Sequence, residues 1–333
     1  MALTALVALA LIAWALAPAL FRMVERPPGD GQTIESYAFD LSQRDEGAIM
    51  EPATLYRDMI PVLDHPEILD PPAIAEVNDG RRKYLISSDL VIGVELDGEA
   101  RAWPLSILNV HEVINDQVGD TPVSVTWHWP SGTTRVFDRR LAGTEQLLGV
   151  SGLVYGGNLL LYPRRADGET GGEQLISQAL GRSVTGPPLE LDAIPHEVVP
   201  WSNWVARHPE TSVAAGRPDF KQRYKKGKPD HWFASEELIF TTPPPSAGPP
   251  PKTHLLLLRS PEGVSLLAID DLVEASDATG RITVDHAGMP LEIQTTARPA
   301  TARVIDPPEG LESMRILWIS AHALFPQAGV PEV

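Results

Sequence analysis

The chain carries nine histidines and no cysteine, and this sets its chemical repertoire. Disulfides, thiolate metal sites and a thiol nucleophile are excluded. Three histidines lie in segments that read as ordered. His111 opens the run HEVIND, His128 stands between Trp127 and Trp129, and His322 falls in a late apolar stretch. A neutral imidazole is a common metal ligand and an acid–base group near neutral pH. Three imidazoles, or two with Glu112 or Asp116, make a donor set for zinc or copper. The reading carried forward is a metal site of His111 and His128, with His322 as third ligand and Glu112 or Asp116 as carboxylates orienting an imidazole. The spacing is not diagnostic, because ligands this far apart meet only if the fold brings them together. A hydrogen-bonded structural role competes at each histidine, and Trp127 and Trp129 serve as core aromatics as readily as a stacking platform. The other six histidines sit in loops or polar runs and carry no signal.

These residues need elements to position them. Alternation through Val123, Val125 and Trp127, a break at Pro130-Ser131-Gly132 and resumed alternation from Thr134 to Phe137 predict a hairpin over 121–138, with His128 at its turn. Upstream, 85–86, 90–96 and 100–104 read as strands with Asp97-Gly98 as a tight turn. Residues 104–110 read as a short helix with proline at its first position, delivering His111. Downstream come strands near 146–152 and 159–162 around Gly156-Gly157, and a helix over 200–208 carrying Trp201 and Trp204. The basic stretch 220–228 reads as a solvated loop. The run PPPSAGPPP at 243–251 reads as an exposed polyproline spacer. Residues 254–258 and 264–269 pair across Pro261-Glu262-Gly263, further strands follow at 282–285, 291–294 and 302–305, and 311–324 is helical or strand-then-helix. Many short strands separated by turns predict a mainly β or α+β body of antiparallel hairpins with a few short helices.

Residues 2–21 contain no charge and are long enough to cross a bilayer, so 1–22 reads as an uncleaved transmembrane anchor in preference to a signal segment. A polar tether over 23–55 and a globular domain over 56–333 follow. Arg22 and Arg26 after the span would by themselves hold that domain in the cytoplasm. The formal net charge of −17 makes nucleic acid an unsuitable partner, because an acidic surface repels a phosphate backbone. The membrane, through 2–21, is the one partner read here, and no protein partner is legible. Dinucleotide-binding and phosphate-binding glycine loops, the serine-hydrolase elbow and the His-Glu-x-x-His zinc signature are all absent.

Several stretches together are distinctive: MIPVLDHPEI at 59–68, the long run 89–140, LLGVSGLVYGGNLLLYPR at 147–164, WVARHPETSV at 204–213 and LWISAHALFP at 317–326. They resemble the Domain of Unknown Function 3179, an uncharacterised prokaryotic family. The resemblance spans roughly 58–326 and implies an exported or membrane-anchored domain. It therefore outweighs the charge argument and places the domain outside the cytoplasm. It brings no reaction. Its typical members carry Asn-Trp-His-Glu-Ile-Val-Asn-Asp followed by a Tyr-Cys-Pro-Leu-Cys-Gly stretch. His111, Glu112, Asn115 and Asp116 match the first, whereas His128 and Ser131 stand where the two cysteines of the second would be. The resemblance thus implies a metal or redox site in typical members, with histidine here as a harder ligand, serine as a poor one, and any redox role lost.

Three functions follow as expectations. The first is a membrane-anchored extracytoplasmic domain binding zinc or copper through histidines. The second is a degenerate binding or scaffolding module without catalysis. The third is an acid–base or metal-assisted enzyme using His111 and Glu112, which requires a concave pocket containing both.

Overall fold

The computed structural model describes residues 39–40, 42, 50–52, 62–79, 84–164, 171–224, 228–239 and 242–331. The anchor segment and most of the tether lie outside the described residues. No helix among the described residues is long and apolar enough to cross a membrane.

The expected β-rich architecture is present: antiparallel sheets joined by tight turns, with a few short helices. A four-stranded sheet runs Leu63–Asp64, Val113–Val118, Thr121–His128, Thr133–Asp138. A five-stranded sheet beside it has Leu90–Leu96 and Glu99–Pro104 at its centre, flanked by Glu197–Pro200 and Ser212–Ala214. Asp97 and Gly98 join the central pair with φ of 51° and 84°, the all-positive turn that matches strand twist. A second five-stranded sheet is built on Leu147–Tyr155 and Asn158–Arg164. The C-terminal part holds two three-stranded sheets, one ordered Gly263–Ala268, His254–Ser260, Glu312–Leu317 and the other made of Arg281–His286, Met289–Ala297 and Ala300–Val304.

Each sheet turns an apolar face inward, because alternate residues share a face. Ile92, Trp103, Ile107, Leu108, Ile114, Val125 and Val136 form the core between the first two sheets. Leu256, Leu258, Leu267, Leu272, Ile293 and Val304 form the C-terminal one. Gly93 is required by packing, since a β-carbon there would lie 2.4 Å from the Trp204 ring. Trp204 is carried by the Trp201–Arg207 helix, as its i, i+3 partner Trp201 predicts.

Three expectations change. Residues 85–86 are not a strand. Asn78 Oδ1 takes the backbone N–H of Tyr84 and Leu85, and Asp89 Oδ2 takes that of Ile86, so local side-chain acceptors replace a ladder. Ile269 leaves the strand pattern to begin a helix, Ile269–Ala275, whose first turn carries Asp270 and Asp271. The basic stretch after residue 217 folds inward at two positions: Phe220 is fully buried and Tyr224 half-buried, on the short helical turns Pro218–Phe220 and Lys221–Tyr224.

Candidate functional site

The hairpin delivers His128 as expected. Thr121–His128 and Thr133–Asp138 pair from Val123↔Asp138 to His128↔Thr133, and Trp129–Ser131 forms a single 3₁₀ turn. The Leu105–His111 helix ends at Glu112, whose φ of 56° turns the chain from helix into the Val113–Val118 strand. Glu112 N–H still donates to Leu108 O, and Glu112 O accepts Trp127 N–H, both at 2.8 Å. The backbones that carry His111 and His128 are therefore neighbours, one residue to either side of this contact.

Their side chains turn to different partners. His111 is fully buried, with Nε2 2.8 Å from Tyr224 Oη and its ring packed on Phe220. Tyr224 Oη also accepts Arg217 N–H at 2.9 Å, which leaves its own hydrogen for the imidazole. Burial pushes the Tyr224 phenol up to about 12. His128 is fully enclosed as well, and its Nδ1 lies 2.7 Å from Ser131 Oγ. Burial pushes His128 down to about 3, so it is neutral.

Ser131 continues into a network of fully buried polar side chains. Its hydroxyl lies 2.9 Å from Thr133 Oγ1 and accepts from Asn158 Nδ2 at 3.1 Å. Asn158 also donates to Gln178 Oε1 at 3.0 Å and accepts Ala179 N–H at 2.9 Å. Gln178 Nε2 returns to the hairpin through Thr126 Oγ1 at 2.9 Å and Thr133 O at 3.1 Å. These bonds fasten the His128 turn to the sheet that contains Asn158. Asn158 and Gln178 were missed from sequence. Gly156-Gly157 before Asn158 signals only a turn, and nothing local marks the amide as buried.

The carboxylates divide. Glu112 is fully enclosed beside the histidines. Asp116, four residues on in the strand, serves a different group: Oδ2 accepts Arg101 Nη1 at 3.0 Å and Trp103 Nε1 at 2.9 Å, and Oδ1 accepts Gln117 N–H at 2.7 Å. Asn115, on the opposite face by strand alternation, donates to Asp64 Oδ1 at 2.8 Å and Leu148 O at 2.9 Å. His322 is half-exposed on the Trp318–Leu324 helix with its ring 4.9 Å from that of Trp318. Among the described residues no three His, Asp or Glu side chains are grouped to hold a metal ion. At the hairpin, His128 Nδ1 meets the Ser131 hydroxyl, which also meets Thr133 and Asn158, and a serine hydroxyl is a poor ligand for zinc or copper.

The quoted motifs now sit in one framework: helix to Glu112, strand, hairpin, and the sheet of 147–164. The sequence profile of the "Protein of unknown function (DUF3179)" family matches residues 57–319. The chain belongs to this family. No curated protein and no solved structure matches it. The DUF3179 match begins close to the expected start of the globular part and ends inside the last helix, so it covers every sheet strand from Leu63–Asp64 to Glu312–Leu317.

Proposed function

We propose that this DUF3179 member is a membrane-tethered, extracytoplasmic binding module whose hairpin histidines are structural. One observation carries the reading: His128 is held by Ser131 within the enclosed Ser131–Asn158–Gln178 network. A buried side-chain network of this kind ties the turn to the neighbouring sheet and resists rearrangement. The acid–base alternative needs a solvent-reached His111–Glu112 pair, and both residues are fully buried.

The metal alternative is tested directly. The detergent-solubilised chain, prepared without a histidine tag, is expected to carry no stoichiometric zinc or copper by elemental analysis. Adding either ion at about 100 µM is expected to leave the melting temperature unmoved, whereas a site with a Kd near 1 µM would add about 2.7 kcal/mol. One equivalent of bound ion, lost on His128→Ala, would reverse the reading.

The tether and its orientation rest on the charge-free run 2–21 and on family kinship. The absence of cysteine offers a clean probe. Glu309→Cys, at an exposed turn, is expected to react in intact cells with a membrane-impermeant maleimide. Labelling only after lysis would place the domain in the cytoplasm.

A further inference from the structure

We infer that the seam between the hairpin sheet and the C-terminal sheets holds one small monovalent anion, of the halide class, beside Arg303 and Arg315. The site is separate from the histidine hairpin and stands whatever that hairpin binds. The seam forms where Thr133–Asp138 packs against Glu312–Leu317 and Glu197–Pro200 packs against Ala300–Val304. It contains a cavity of about 20 Å³, lined on one side by Thr134, His196 and Glu197 and on the other by Arg303, Ser313 and Arg315. A water-sized occupant needs about 10–15 Å³, so a monatomic ion fits where a phosphate or sulfate group does not.

The surrounding charge calls for an anion. Arg315 Nε donates to His254 Nδ1 at 3.2 Å, and its Nη1 donates to Ala300 O at 3.1 Å. Both acceptors are uncharged, because an imidazole nitrogen that accepts a hydrogen bond carries no proton. Asp270 is the one carboxylate that acts on Arg315, and the two form no ion pair. Burial pushes the Arg315 guanidinium down to about 10. Buried charges are normally paired, and Arg315 has no ion-pair partner among the described residues. Arg303 is only partly compensated. Its Nε lies 3.2 Å from Glu197 Oε2, yet neither atom makes an aligned hydrogen bond, and Glu197 is shared with Arg207.

The same imbalance extends along the seam. Arg135 and Arg259 converge on the single carboxylate of Glu312. Arg135 is 1% exposed, and its Nε and Nη2 have no acceptor. Five guanidiniums, of Arg135, Arg207, Arg259, Arg303 and Arg315, thus gather with two carboxylates, Glu197 and Glu312, in a chain that carries −17 overall. Like charges repel strongly away from water, and an anion in the cavity relieves the repulsion. Glu197 on the same wall repels a second negative charge, which suits a monovalent ion. The ion then joins the hairpin sheet to the C-terminal sheets.

The full chain in detergent is melted at constant sodium and constant ionic strength while chloride replaces gluconate, which is too bulky for the cavity. Constant sodium removes the general screening that any salt gives an acidic surface. A saturable rise of about 3–6 °C is expected, with bromide acting like chloride. In crystals soaked with bromide, the anomalous peak is expected within about 3.5 Å of the Arg303 and Arg315 guanidiniums. Arg315→Met removes the charge and keeps an apolar stem, and is expected to abolish both the halide response and the peak. Ser313→Val intrudes on the cavity without changing a charge and is expected to do the same, so the site stays testable if Arg315→Met does not fold. The inference is overturned by equal melting temperatures in chloride and gluconate, by a halide response that survives Ser313→Val, or by a cavity that holds water in the bromide-soaked crystal.

Discussion

Asp116→Ala is expected to lower the unfolding free energy by about 3–5 kcal/mol, the usual cost of removing one partner from a buried ion pair. Asp116 and Arg101 are only 5% and 8% exposed, and their atoms meet at 3.0 Å. Alanine would leave the Arg101 guanidinium with Ser212 Oγ as its hydrogen-bond acceptor and without the Asp116 counter-charge, and the Trp103 indole N–H would lose its acceptor. Trp103 has no exposure and lies at the centre of the first core, so water does not replace that acceptor without opening the packing. Asp116→Asn retains one carbonyl oxygen and removes the charge, so about 1–3 kcal/mol is expected. Urea denaturation measures both. An alanine variant within about 1 kcal/mol of the parent would mean that Arg101 and Trp103 find other partners, and the structural assignment of Asp116 would fall. A carboxylate that only oriented a metal-bound imidazole would give the opposite pattern: little stability change without metal.

The Asp116 result shows what the residues disclose and what they hide. Strand alternation through 113–118 is readable, and it puts Asn115 and Asp116 on opposite faces. Which face meets Arg101 depends on the pairing of Glu99–Pro104 in another sheet, and no local pattern encodes that. The hairpins over 90–104, 121–138, 254–268 and 281–304 were legible because their turns carry Gly, Pro or Asp between alternating runs. The two-residue strands and the Leu63–Asp64 pairing with Val113–Val118 were not, since a parallel pair has no turn signature. At the candidate site the backbones of Glu112 and Trp127 meet, so His111 and His128 are carried on neighbouring segments. The partners that hold these side chains were not legible where they lie far off in sequence: Asn158 is 27 residues from Ser131, and Tyr224 is 113 from His111. Tyr224 was also masked by charge. The stretch 220–228 is rich in Lys and Arg, and those cations dominate a composition-based reading while Phe220 and Tyr224 turn inward. Arg223, one of the cations read as solvated, and Arg217 just before the stretch lie over the Phe220 ring and help cover an apolar residue.

Acidification from pH 6.5 to 5 is expected to remove about 3 kcal/mol of stability, through His128 and His196. Burial pushes His128 down to about 3; burial and then Arg135 push His196 down to about 4. In the unfolded chain both return to about 6.5. Below that value the unfolded state binds protons that the folded state does not, so stability falls as pH falls, until the folded values are reached. Each histidine contributes a slope of about 1.4 kcal/mol per pH unit. His254, held well below its ordinary value by burial and then by Arg315, acts in the same direction. The carboxylates act later. Burial alone would raise Glu312, but Arg135 and Arg259 outweigh it and hold it low, so its contribution is present above the unfolded value of about 4.5 and is lost below it. The window between pH 6.5 and about 4.5 thus belongs to the histidines. His196→Gln keeps a polar side chain near Thr134 and Ile194 and is expected to reduce the slope by about 1.4 kcal/mol per pH unit. Chemical denaturation across this range reads the slope directly. A flat profile in the parent protein would require these imidazoles to be charged or solvent-reached in the folded state, and with that the structural reading of His128 would fail.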